Sequence, residues 1–168
     1  LFNSMDKKSL ETVLVLQGGG SLGAYECGVY KTIAKKNINL DVVVGTSIGA
    51  LNAALIVGSK ENDPAKNLED FWMALSEETT SLFPESIRSY FSTLYASIWG
   101  NPNVVSPIYG IPNPWIFSNN QPFVYDNTPL KTTLSKFVDF EKLNSETSPR
   151  VIVTSVDIQR GKSVVFDN

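Results

Sequence analysis

The chain contains no histidine, and this absence removes more chemistry than any other feature of its composition. Without an imidazole there is no Ser-His-Asp triad and no histidine-ligated metal site within these residues. The single cysteine, Cys27, cannot close an internal disulfide or furnish a cysteine-rich zinc site. It fits a reducing compartment and reads as a small buried helix residue. Runs of basic charge are also missing: Lys7-Lys8 and Lys35-Lys36 are the longest, and the net charge is −3. No electrostatic footprint for a nucleic-acid backbone results, so nucleic acid is not expected as a partner. Long apolar runs are absent too. The uncharged stretch Val42 to Ser59 is interrupted by Gly45, Thr46, Ser47, Gly49 and Asn52. It falls short of the roughly 20 apolar residues a spanning helix needs. The amino-terminal LFNSMDKKSL has no apolar signal core. A soluble, cytoplasmic protein is the expectation.

What is present suffices for one core. With 168 residues and 42% hydrophobic content, residues 1–168 are expected to form a single domain, without repeats or a linker. ETVLVLQ, at 11–17, is a short apolar run closed by glycines and reads as a buried strand. LGAYECGVYKTIAKK, at 22–36, places Leu22, Tyr25, Cys27, Val29, Tyr30 and Ile33 on a broad helical face, with lysines in the last turn and Asn37 as the stop. DVVVG is a second, β-branched strand, and IGALNAALIVG is a helix apolar nearly all round, hence deeply buried. Two successive βα units imply an α/β fold with a largely parallel central sheet and helices on both faces, a three-layer arrangement.

Further on, DPAKNLEDFWMALSEE reads as an amphipathic helix with Leu68, Phe71, Trp72 and Leu75 along one face, and ESIRSYFSTLYASIW repeats the pattern. Between residues 100 and 123 proline and asparagine accumulate around Tyr109, Trp115 and Phe117, which excludes a regular helix. An ordered loop is expected there, its aromatics either pinning it to the core or lining the entrance to an apolar groove. NTPLKTTLSKFVDF restores a helical stripe of Leu130, Leu134, Phe137 and Val138. VIVTSVDI and KSVVF, joined across QRG, read as two strands around a glycine turn.

Two glycine motifs carry the chemistry. In GTSIG, Gly45 and Gly49 bracket Ser47 in a GxSxG pattern, with a β-branched strand before it and a buried helix after it. That context suits a sharp strand-to-helix turn that lifts the Ser47 hydroxyl off the carboxyl edge of the sheet. Gly45, Thr46, Ile48 and Gly49 form the elbow, and the Ile48 amide and the positive helix end lie near any oxyanion formed there. The second motif, Gly18-Gly19-Gly20-Ser21-Leu22-Gly23, directly follows the first strand. Its amides suit an anion at a helix amino terminus, either a dinucleotide pyrophosphate or the oxyanion of a tetrahedral intermediate. A ribose-binding acid belongs at the end of the second strand, whereas Asp41 stands at its start and GTSIG occupies its end. The oxyanion reading is favoured.

With both motifs placed, the chain resembles the patatin-like phospholipase family from about Thr12 onward. LVLQGGGSLGAYECGVYKTI is similar to that family's first strand, oxyanion loop and first helix, and DVVVGTSIGALNAAL to its nucleophile elbow. VTSVDIQRGKSVVF is similar to a downstream strand pair. The resemblance implies lipid acyl hydrolysis by a Ser-Asp dyad that needs no histidine. It assigns Ser47 as nucleophile and the amides of Gly18, Gly19, Gly20 and Ser21 as the oxyanion hole. Leu22 stands where many members carry arginine. The family's aspartate lies in a DGG or DGA motif, and no such tripeptide occurs here. Asp157 matches a structural acid at a strand end and Asp167 has no glycine after it, so neither is taken as the base. These residues are therefore expected to be the amino-terminal part of a longer enzyme whose base lies elsewhere, and to be weakly active or inactive alone. The expected substrate is a lipid or fatty-acyl ester met through transient contact with a membrane surface, with no cofactor and no metal. Acyl transfer at the same site, a non-catalytic lipid- or anion-binding role and dinucleotide binding are the competing readings.

Overall fold

The computed structural model describes residues 10–80, 106–107, 125–126 and 128–168. Strand β1 (Val13–Leu16) leads through a 3-10 turn (Gly20–Leu22) into helix α1 (Gly23–Lys35). Strand β2 (Val42–Thr46) is followed by α2 (Ile48–Val57) and α3 (Pro64–Thr80). Ser106–Pro107 (β3) and Tyr125–Asp126 (β4) pair as a small antiparallel ladder. Helices α4 (Thr128–Phe137) and α5 (Phe140–Leu143) then precede β5 (Arg150–Asp157) and β6 (Lys162–Asp167). The sequence-expected helix at 85–99 and most of the 100–123 loop, including Tyr109, Trp115 and Phe117, lie outside the described residues.

The main sheet has the order β1-β2-β5-β6. The first three strands are parallel and β6 is antiparallel to β5, closing the expected hairpin through Gly161 at φ 61°. Strand order here dictates where the helices go. The chain steps from β1 to β2 to β5 in one direction across the sheet, and right-handed crossovers between such strands put their helices on the same face. Burial agrees. Leu14 and Leu16 stand beside Val43 and Gly45, which stand beside Val151 and Val153, and this face supplies the sheet's part of the core. Against it pack Ala53, Leu55 and Ile56 of α2, Leu68, Phe71 and Leu75 of α3, Cys27 and Tyr30 of α1, and Val138. The described helices thus cover one face; the second helical layer of a three-layer arrangement is not among the described residues.

Two expectations are corrected. β1 is not buried on both sides: among the described residues it is an edge strand, and Val15, on the face away from the helices, is 63% exposed. Nor does α1 turn the whole of its expected apolar face inward: Cys27 and Tyr30 are buried, but three others are not. Leu22, Tyr25 and Val29 are exposed, Tyr25 at 77%, and the buried face is made of Gly23, Cys27 and Tyr30. Its small residues explain this, because α1 must lie close to α2 and α3. A Cβ on Gly23 would meet Ile48 Cγ1 at 2.6 Å and Trp72 Cζ2 at 2.7 Å. Burial raises the Cys27 thiol pKa, with Glu69 adding to the rise and Lys31 opposing it, which suits a packed, unreactive thiol.

The other helices follow their patterns. Asp63 accepts from the amides of Ala65 and Lys66 at the start of α3, where Pro64 needs no donor partner. Phe71 meets Trp72 and Phe137 edge-on at centroid distances of 5.9 and 5.7 Å, tying α3 to α4. The buried Asn67 amide donates to the carbonyls of Leu55 and Phe137, joining three helix ends. Asn37, at φ 52°, ends α1 as its position suggested. No helix among the described residues is long and apolar enough to cross a membrane.

Candidate active site

Ser47 sits between β2 and α2, at the carboxyl edge of the sheet. Its backbone has φ 56° and ψ −121°, a conformation that side-chain-bearing residues rarely adopt. Flanking contacts hold it there. A Cβ on Gly45 would lie 2.4 Å from the Gly49 carbonyl oxygen and 2.6 Å from Ala50 Cα. A Cβ on Gly49 would lie 2.4 Å from the carbonyl oxygen of Leu16 and 2.9 Å from that of Gln17. The turn is therefore pressed between its own helix and the end of β1, and only hydrogen fits at both positions.

A serine before a helix usually spends its hydroxyl accepting a hydrogen bond from the first turn. Ser47 makes no such capping bond and is exposed, so its hydroxyl is presented outward. Its carbonyl accepts from the amides of Ala50 and Leu51 at 3.0 and 3.3 Å, while the amides of Ile48 and Gly49 have no acceptor within α2. The positive end of the helix thus faces the region of the hydroxyl. Beside Ser47, the Thr46 hydroxyl bonds that of Thr154 on β5, 2.5 Å apart, bracing the turn against its neighbouring strand.

The glycine-rich loop comes to the same place. A Cβ on Gly18 would lie 3.2 Å from Ser47 Cβ and 3.9 Å from its Oγ. Gly19 has φ 163°, extended backbone, Gly20 has φ 58°, and the Leu22 amide returns to the Gly19 carbonyl at 3.2 Å. Gly18, Gly19, Gly20 and Ser21 are all exposed. The structure thus brings the glycine loop beside the serine turn, two motifs separated in sequence but adjacent across the β1–β2 pair.

The candidate acids lie elsewhere or are occupied. Asp41, at the amino end of β2, accepts from the Thr12 amide at 2.7 Å, on the edge of the sheet away from the loop. Asp157 accepts from the amides of Gln159 and Arg160 and shapes the β5–β6 turn. Asp167 forms a two-point ion pair with Arg150, whose guanidinium holds the carboxyl below its ordinary value. A cavity of about 670 Å³ lies at the opposite edge, lined by Tyr30, Asp41, Lys142 and Ser148 among others, and includes neither glycine turn.

Sequence reasoning missed a polar pair behind the site, the half-buried Glu26 and the buried Asn52. Glu26 accepts from the Gln17 amide at 2.8 Å through one oxygen and from Asn52 Nδ2 at 2.8 Å through the other. Asn52 also donates to the Gly23 carbonyl at 3.0 Å and accepts from Trp72 Nε1 at 3.1 Å. The available signal was position: a carboxylate one turn into α1 and an amide inside the otherwise apolar α2, each following a glycine turn.

An α/β protein with a strained serine at a strand-to-helix turn and a glycine loop across from it belongs to a narrow class, that of folds which present a hydroxyl next to free amides. Comparison with known families places it further. The profile of the patatin-like phospholipase family matches residues 14–167, and the chain belongs to that family. It is 38% identical over 68 residues to a patatin-like phospholipase domain-containing protein of Coccidioides immitis, covering 40% of this chain and 9% of that protein. It is 34% identical over 102 residues to neuropathy target esterase sws of Drosophila persimilis, covering 54% of this chain and 7% of that protein. To lysophospholipase nte1 of Aspergillus terreus it is 50% identical over 42 residues, 25% of this chain and 3% of that protein. The chain therefore spans less than a tenth of the length of these relatives.

Proposed function

We propose that this protein is a lipid acyl hydrolase of the carboxylic-ester type, with Ser47 as its nucleophile. The observation that carries the reading is the Ser47 backbone, at φ 56° and ψ −121°, held beside Gly18 of the glycine loop. Strain of this kind costs about 1–3 kcal/mol and persists where the surroundings impose it. Relatives named as esterase and lysophospholipase support an ester of a lipid as substrate.

In this reading Ser47 Oγ attacks the ester carbonyl carbon while its proton passes to a carboxylate base. The carbonyl oxygen becomes an oxyanion received by the amides of the Gly18–Ser21 loop and of Ile48. Collapse breaks the ester carbon–oxygen bond, the leaving alcohol takes the proton, and water then releases the acyl group from Ser47. The family resemblance places the base in a DGG or DGA motif, which this sequence lacks, so the reading assigns the base to a carboxylate outside these 168 residues.

The test uses the intact protein. A fluorophosphonate should attach to the peptide carrying Ser47, and Ser47→Ala should lose both the label and long-chain ester hydrolysis, by about a thousandfold or more. A Ser47→Ala protein that still hydrolyses the ester, or is still labelled, refutes the reading and leaves a non-catalytic binding role in its place.

A further inference from the structure

Neither Glu26 nor Asn52 has a part in the reaction as written above, yet they connect the two halves of its site. Gln17 is the last residue before the glycine loop, and its amide is held by Glu26, which lies beyond the loop on α1. The other oxygen of Glu26 is held by Asn52, on the helix that Ser47 begins. We infer that Glu26 and Asn52 are positioning residues that set the spacing between the glycine loop and Ser47. The inference rests on the reading of Ser47 as nucleophile and of the loop as its oxyanion hole.

The orientation of the Asn52 amide follows from its partners. Its nitrogen faces two acceptors, the Gly23 carbonyl and the Glu26 carboxylate, and its oxygen faces the indole N–H of Trp72. A reversed amide would set oxygen against both acceptors and N–H against N–H. Asn52 is 0% exposed, and the hydrogen bonds of its side chain go to α1 and α3, so it pins α2 to the helices around it. Glu26, in turn, reaches from α1 back to the root of the loop. Packing reaches the loop at Gly18, where a Cβ would lie 3.2 Å from Ser47 Cβ, but not at its tip, where a Cβ on Gly20 would have nothing within 4 Å. An oxyanion hole functions only when its donors lie about 2.7–3.1 Å from the developing charge, and a displacement near 1 Å costs on the order of a hundredfold. Where the backbone is thinly packed, a charge-assisted polar tie sets that distance.

Glu26→Gln is nearly isosteric and replaces one acceptor with a donor. Whichever way the new amide turns, it presents N–H either to the Gln17 amide or to Asn52 Nδ2, so one contact is lost. In the intact protein, kcat for a soluble short-chain ester should fall about 10- to 100-fold with KM changed less than about twofold, because the loss is felt by the oxyanion and not by the bound ester. Trp72→Phe, which frees the Asn52 oxygen without touching Glu26, should lower kcat about two- to tenfold and stands as the measure if Glu26→Gln does not fold. Ser47→Ala run in parallel separates the two claims. Activity surviving Ser47→Ala sinks both. Activity lost in Ser47→Ala but kept in a folded Glu26→Gln, or a change in KM alone, overturns the positioning role and leaves the nucleophile assignment standing.

Discussion

The serine turn and the glycine loop lie side by side on one edge of the sheet, and they are held by different forces. At the serine turn the backbone is locked by contact: the positions where Cβ atoms would stand on Gly45 and Gly49 are filled by carbonyl oxygens at 2.4 Å. At the tip of the loop the space is open, and Gly20 adopts φ 58° with no neighbour within reach of a Cβ, although Gly18 at its root lies against Ser47. What locks the root of the loop is a hydrogen-bonded carboxylate, Glu26, held by a buried amide. The placement of Ser47 is thus steric and tolerates no added atom at its flanking glycines. The placement of the loop beyond Gly18 is polar and adjustable.

The comparison breaks most severely at Gly49. Gly49→Ala would drive a methyl group into the Leu16 and Gln17 carbonyls, which belong to the end of β1 and cannot swing aside as a side chain would. A loss of about 3 kcal/mol or more in unfolding free energy is expected, as for severe overpacking against backbone. Chemical denaturation monitored by circular dichroism measures it. A loss below about 1 kcal/mol would show that the turn has slack.

At the loop the expected cost is smaller and of another kind. Gly20→Ala meets no atom, so only the left-handed backbone opposes it, at about 1–2 kcal/mol. Ester turnover should fall far less than with Gly49→Ala, and measuring kcat beside the unfolding free energy for both variants tests whether contact and openness truly divide the site. Equal losses in the two variants would erase the distinction.

The contrast also explains what could be read before any coordinates. Gly45, Ser47 and Gly49 were legible because a steric demand leaves a residue-type signature at fixed spacing, with the strand and helix around it confirming the setting. The parallel pairing of β1 with β2 followed from their connection through a helix. Glu26 and Asn52 were not legible, since a polar residue on a helix reads as solvated until its partners are known, and those partners are 9 and 26 residues from Glu26. For the same reason α1 was assigned too broad an inward face, of which Cys27 and Tyr30 are buried and Leu22, Tyr25 and Val29 are not. Periodicity located its apolar residues, but the inward side was decided by how closely α1 approaches Ile48 and Trp72, which selects Gly23 over Leu22. The open side of β1 was hidden because an apolar strand has the same composition at an edge as in the middle of a sheet.

The finest test concerns Ser47 itself, apart from its chemistry. If the turn is imposed from outside, residue 47 is strained whatever side chain it carries, and the strain at φ 56° and ψ −121° should vanish when the Cβ is removed. Ser47→Ala keeps the Cβ and Ser47→Gly removes it. Neither carries the hydroxyl that the proposed function requires, so under that reading both are inactive and their difference is purely conformational. Relief of about 1–3 kcal/mol of strain, offset by the roughly 0.5–1 kcal/mol that glycine's unfolded-state freedom costs, leaves Ser47→Gly more stable than Ser47→Ala by about 1 kcal/mol. That sign is opposite to the usual order of alanine and glycine. Paired denaturation curves of the two inactive variants read it directly, and alanine proving the more stable would mean that residue 47 relaxes in solution and that the hydroxyl is not held where the reaction needs it.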